Sequence, residues 1–175
     1  MKFTSYYKFI NENLGFTYGC VMAFTGFFDE FISIQNVISD KDLHEGGKEK
    51  EPHVTLLYGL HSDEINKEEI FKGIKEIDLK FLKLQGNLNI FEGENFDVLY
   101  FEIELDEKLR EAHDFLKKFP HTNKFKDYKP HMTVAYLKPG LGKEYIKMFK
   151  GFNNEKPIEI SRFVYSLPSG AKLDF

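Results

Sequence analysis

The chain has 175 residues, 42% hydrophobic and 30% charged, which suits one compact domain and excludes an intrinsically disordered protein. A formal charge of -4 argues against broad, sequence-independent grip on a nucleic-acid backbone, but not against a small nucleotide in a local cleft. Met1 to Lys8 lacks the basic region, apolar run and small-residue cleavage site of a secretory signal, and no apolar run is bilayer-length, so a cytoplasmic protein away from membranes is expected.

In chain order, Thr17 to Thr25 is a β-rich run that predicts a central strand. It holds the chain's one cysteine, Cys20, which cannot form an internal disulfide and is expected to be a small buried hydrophobe. Phe27 to Val37 combines helical spacing with many β-branched residues, so its type stays open. Asp40 to Glu51, with Gly46-Gly47 and mixed charges, predicts a surface loop. A short strand follows from His53 to Tyr58, stopped by Gly59. In Lys67 to Ile77 the residues Ile70, Phe71, Ile74 and Ile77 make one apolar helical stripe.

Leu79 to Phe91 and Asp97 to Leu105 read as two strands around Glu92-Gly93-Glu94-Asn95, the second with clear period-2 alternation. Glu107 to Phe119 predicts an amphipathic helix stopped by Pro120. A strand from His131 to Leu137 ends at Pro139-Gly140, Lys143 to Phe149 is a short helix, and Ile158 to Leu167 is the last strand. Strands and helices alternate without a Ser- or Pro-rich linker, which predicts a single α+β unit over residues 1–175.

One internal repeat stands above this background. Pro52-His53-Val54-Thr55-Leu56-Leu57-Tyr58 recurs as Pro130-His131-Met132-Thr133-Val134-Ala135-Tyr136, with Pro, His, Thr and Tyr at identical offsets. Each half of the chain carries one copy, as expected of two related lobes. Alternation along a strand puts His53 with Thr55, and His131 with Thr133, on one face. Two facing lobes would bring both pairs into one cleft. There one imidazole can take a proton from an attacking oxygen while the other gives one to a leaving oxygen. The threonine hydroxyls can donate to non-bridging phosphoryl oxygens, and no metal is required. By the same parity Tyr58 and Tyr136 fall on the opposite face, packed between strand and helix.

These residues resemble the paired His-x-Thr signature of the 2H phosphoesterase superfamily, which includes RNA-ligase-like proteins and 2′,3′-cyclic phosphodiesterases. With their flanks, Pro52 to Leu60 and Asp127 to Tyr136, they are most similar to phage anti-CBASS enzymes, which degrade cyclic oligonucleotide signals of bacterial immunity. The resemblance implies a bilobal fold with pseudo-two-fold symmetry, two antiparallel sheets lining a cleft and helices outside. It also implies a cyclic di- or trinucleotide substrate, no cofactor, no duplex nucleic acid, and a monomer in the host bacterial cytoplasm. Substrate contacts are implied at Tyr18, Glu159 and Tyr165, the last standing where the family's pattern has Trp. Glu159 and Tyr165 have matching parity in the last strand.

The remaining histidines, His44, His61, His113 and His121, lack a partner motif and are expected to be solvent-exposed. No zinc-type cluster is present. Gly140-Leu-Gly-Lys143 is only a fragment of a phosphate loop, and Gly47 to Glu51 reads as solvated surface. Two rival functions are an RNA-end 2′,3′-cyclic phosphodiesterase, which should show a basic path for a polynucleotide, and a non-catalytic nucleotide sponge.

Overall fold

The computed structural model describes residues 18–123, 125, 127–150 and 156–175. Met1 to Lys8, and Thr17 at the start of the first expected strand, lie outside the described residues. In chain order the strands are β1 (Gly19–Thr25), β2 (Leu43–Lys48), β3 (His53–Leu60), β4 (Phe81–Leu82), β5 (Leu84–Phe91), β6 (Asp97–Ile103), β7 (His131–Leu137), β8 (Ile158–Ser166) and β9 (Lys172–Asp174). The helices are α1 (Asp29–Val37), α2 (Lys67–Ile77), α3 (Glu107–Leu116) and α4 (Gly142–Met148).

The strands form one nine-stranded sheet along the path β4-β8-β1-β3-β7-β6-β5, with β2 beside β7 and β9 beside β8. The order β8-β1-β3 mirrors β5-β6-β7, so each His-x-Thr strand is the inner strand of its half. Where two antiparallel sheets were expected, the halves form one antiparallel sheet, joined where Val54 pairs with Met132. Each proline ahead of a motif completes its half: the Pro52 carbonyl accepts from Thr25 N at 2.9 Å and the Pro130 carbonyl from Ile103 N at 3.0 Å. Proline has no N–H to offer, so it suits the position just before a strand.

The apolar parity of the inner strands, Val21 and Ala23, Val54 and Leu56, Leu99 and Phe101, Met132 and Val134, forms the buried core with the helices. The opposite face carries a second buried cluster, Cys20, Met22, Phe24 and Val164, beside the cleft. Each half also borrows a helix from the other, α1 packing on β7 and α3 on β3. Local signals place these helices. Asn66 caps α2 by accepting from Glu68 N at 3.1 Å, and Asp106 caps α3 by accepting from Leu109 N at 2.9 Å. Asp78 ends α2 in the left-handed region, with φ 57°. Among the described residues, no helix is long and apolar enough to cross a membrane.

The undecided segment from Phe27 to Val37 is α1, because Phe31 and Ile34 bury one helical face. The expected loop from Asp40 to Glu51 is instead largely β2. Its Gly46 lies so close to the Tyr136 ring that a Cβ there would come within 2.7 Å of it. A residue type that reads as a loop signal is thus the one this strand needs to pass over an aromatic ring.

Candidate active site

Each histidine opens its strand and is fixed in the same way. His53 donates Nδ1–H to the Glu51 carbonyl at 2.7 Å, and His131 to the Lys129 carbonyl at 2.9 Å. A carbonyl only accepts, so Nδ1 carries the proton in both rings and Nε2 is the basic nitrogen of each. His53, Thr55, His131 and Thr133 line one cavity of about 220 Å³ between the halves.

The loop ahead of His53 is held from several sides. Glu49 is buried, and its Oε1 accepts from Lys50 N at 2.8 Å and Glu51 N at 3.0 Å. Gln35 on α1 donates to the Glu49 carbonyl at 2.7 Å. Residues 47–51 are therefore a support for His53 rather than plain solvated surface.

The rings around the two histidines differ. Phe24 stacks on His53 with centroids 5.0 Å apart. His131 meets the edges of Phe91 at 4.9 Å and Tyr100 at 5.3 Å. Burial holds the His131 imidazole below its ordinary range; the hydrogen bond to Lys129 opposes this, and the charge of His53 lowers it further. The two imidazoles are thus close enough to sense each other.

The structure corrects the expected place of Tyr58 and Tyr136. Between the pairs Met22–Thr55 and Val21–Leu57, β3 carries one extra residue, Leu56. Between Tyr100–Thr133 and Leu99–Ala135, β7 carries the extra residue Val134. Each bulge follows its threonine and reverses the parity beyond it. Tyr58 and Tyr136 therefore line the same cavity as the histidines. Their identical place in the repeat was the sequence signal for this; strict alternation hid it.

The three candidates outside the motifs do not gather there. Tyr165 is fully buried on the core side and shares a hydrogen bond with Ser62 at 3.0 Å. Ser161 is an extra residue in β8 between the pairs Phe24–Arg162 and Thr25–Ile160. That bulge breaks the alternation, so Glu159 and Tyr165 do not share a face. Glu159 is exposed and pairs with Phe81 at the outer edge. Tyr18 stacks on His61 with centroids 4.8 Å apart. Its hydroxyl is close enough to help raise the Tyr58 pKa, after burial and Cys20.

Cys20 is buried under this region and its thiol is pushed up to about 12 by burial, as suits a packing residue. His113 is buried rather than exposed, while His44, His61 and His121 are half-buried. Among the described residues no group of three or more His, Cys, Asp or Glu is placed to hold a metal ion.

An α+β fold of two mirrored halves, with a His-x-Thr strand from each facing one cleft, defines a two-histidine phosphoesterase. The sequence profile of the 2′-5′ RNA ligase superfamily matches residues 33–163, and the chain belongs to that family. The protein is thus a member of a phosphodiester-processing superfamily. Among solved structures, Usb1 of Kluyveromyces marxianus with uridine monophosphate is similar, with TM-score 0.60 and 10% identity over 90% of this chain and 97% of that one. A second structure of the same Usb1 gives TM-score 0.58 and 9% identity over 92% and 98% of the two chains. Both speak for the fold. No curated protein sequence matches.

Proposed function

We propose that the cleft opens 3′,5′-phosphodiester bonds of cyclic di- or trinucleotide signals, as a phage protein acting against bacterial CBASS immunity would. The observation that carries this reading is the pair of histidines lining one small cavity, each held through Nδ1 and each set beside its own aromatic residues. His131, the imidazole held neutral by its burial, takes the proton of a ribose 2′-hydroxyl. That oxygen attacks the adjacent phosphorus in line, and His53 protonates the departing 5′-oxygen. The product is a linear nucleotide ending in a 2′,3′-cyclic phosphate. Thr55 and Thr133 donate to the non-bridging oxygens as charge builds there. Tyr18, at the edge beyond Tyr58, offers a ring for a base. In this reading the protein is a cytoplasmic monomer that needs no metal or cofactor.

A second reading, an RNA-end 2′,3′-cyclic phosphodiesterase, draws on the likeness to Usb1, whose structure holds a single nucleotide. One assay separates the readings. A ribo ring, the same ring lacking the 2′-hydroxyl, and a linear oligonucleotide with a 2′,3′-cyclic end are incubated in excess EDTA, and products are identified by mass spectrometry. The proposal expects cleavage of the ribo ring alone, or far ahead of the others. Preference for the linear end would favour the second reading. Equal cleavage of the deoxy ring would remove internal attack, and no cleavage of any would leave a sponge.

A further inference from the structure

The mirrored halves differ in charge beside their histidines. In the first half Phe24 pairs with His53 on one side and Arg162 on the other. The Arg162 guanidinium lies 4.9 Å from the Phe24 ring centroid, and the Lys172 ammonium 5.1 Å. Two cations thus cover the ring that stacks on His53. In the second half the residue paired with His131 is Glu102, which accepts from Asn89 at 2.9 Å. A cationic corner therefore stands beside His53, in a chain with formal charge -4.

Both cations are held by one carboxylate. Glu51 accepts from Arg162 at 2.9 Å and from Lys172 at 2.5 Å, and Asp174 lies 3.8 Å from Arg162. The Lys172 hydrogen bond, more than any other contact, lowers the Glu51 pKa. All three side chains of this latch are about two-fifths exposed, at 41%, 39% and 43% for Arg162, Lys172 and Glu51. Exposed ion pairs contribute little stability. Stability alone therefore gives little reason for two cations over Phe24. Glu51 is also the residue whose backbone carbonyl fixes His53.

We propose that Arg162 and Lys172 bind a second phosphate of the substrate, next along the nucleotide chain from the one being cleaved, and that the Glu51 carboxylate occupies this site until substrate displaces it. This rests on the reading that the histidine cleft cleaves a phosphodiester. A guanidinium fork and an ammonium point charge together suit a phosphate's oxygens. Two strand spacings, roughly 10 Å, separate the Arg162 backbone from that of His53, and both long side chains reach back over the Phe24 ring. The site selects substrates with at least two phosphates, as any cyclic oligonucleotide has, over ends with one.

The test combines binding and turnover in Arg162→Gln, Lys172→Gln, their double variant and Glu51→Gln. Calorimetry compares a nucleoside 3′,5′-bisphosphate with the 3′-monophosphate. In the wild type the bisphosphate should bind at least tenfold more tightly, and the double variant should lose that difference. Glu51→Gln should tighten bisphosphate binding, because a competing anion is gone; weaker binding there would make the cluster a structural latch and overturn the proposal. In turnover, the ratio of kcat/KM for a cyclic dinucleotide to that for a one-phosphate dinucleotide should fall at least tenfold in the double variant. An unchanged ratio, or equal binding of the two ligands by the wild type, would also overturn it. If the wild type leaves the ring intact yet shows the bisphosphate preference, the proposed function falls and the phosphate site stands.

Discussion

The His113 Nδ1–H donates to the Leu56 carbonyl at 2.7 Å, from a helix of one half into the bulge of the other. Gln35 does the same in reverse, donating to the Val134 carbonyl at 2.9 Å. Leu56 and Val134 are the extra residues whose bulges turn Tyr58 and Tyr136 into the cleft. A buried strand carbonyl at a bulge needs a donor; His113 supplies one to Leu56, while on Val134 Gln35 joins the Glu49 N–H, which donates at 2.9 Å. His113 is further clamped by Tyr128, whose ring stacks on it at 3.9 Å and whose hydroxyl donates to the Thr55 carbonyl at 2.9 Å.

His113→Leu is therefore expected to destabilise the fold by about 1–3 kcal/mol, the cost of an unsatisfied buried acceptor. His113→Gln, which keeps a donor as Gln35 does, should lose less. Denaturant unfolding at pH 8 measures both. Equal losses in the two variants would mean that packing on Tyr128, not the hydrogen bond, is what matters.

Acid should weaken the same contact. Burial, first among several causes, holds His113 below its ordinary range, while in the unfolded chain it returns to about 6.5. As pH falls below about 6.5 the unfolded chain takes up the proton first, so stability declines through that range and is pH-independent above it. His131 has the same sign. His113→Gln should flatten part of this acid slope in unfolding curves taken between pH 8 and 5; an unchanged slope would clear His113 of any part in it.

His53→Ala and His131→Ala should each lower kcat by about 10²–10⁴-fold, with the double variant scarcely worse than either, because the two act on one proton-transfer event. Thr55→Val and Thr133→Val should cost less, at most roughly 2.7–4 kcal/mol in a dry site. Steady-state kinetics on the ribo ring decide both. A near-native kcat in one histidine variant would remove that residue from the mechanism.

The histidine and threonine positions were legible because an i, i+2 spacing needs only a short regular strand. Tyr58, Tyr136 and Glu159 were misplaced because a bulge intervenes in each case, at Leu56, Val134 and Ser161. A bulge is set by what the neighbouring strand and helix supply, Gln35 and His113 here, and these lie far along the chain. Arg162 and Lys172 were invisible for the same reason: nothing near them in sequence signals that Phe24 and His53 are beside them. Helices α2 and α3 were readable because apolar periodicity and capping residues are local. Strand β2 was not, because its Gly46 answers to Tyr136.

The coupling between the two imidazoles gives the most direct check on the cleft. Burial is the main cause of the low His131 pKa, and the positive form of His53 adds to it. Replacing His53 by Gln removes that charge and keeps a polar side chain of similar size. The His131 pKa should then rise toward its ordinary value without reaching it, since the burial remains. Following the His131 Cε1 proton by NMR through a pH titration of wild type and His53→Gln measures this without any substrate. The same coupling should place the acid limb of the wild-type kcat/KM profile below the ordinary imidazole range, where His131 gains its proton and can no longer act as base. A His131 pKa that stays put or falls in His53→Gln would show that the two rings do not share one cleft in solution, and the two-histidine mechanism would have to be abandoned.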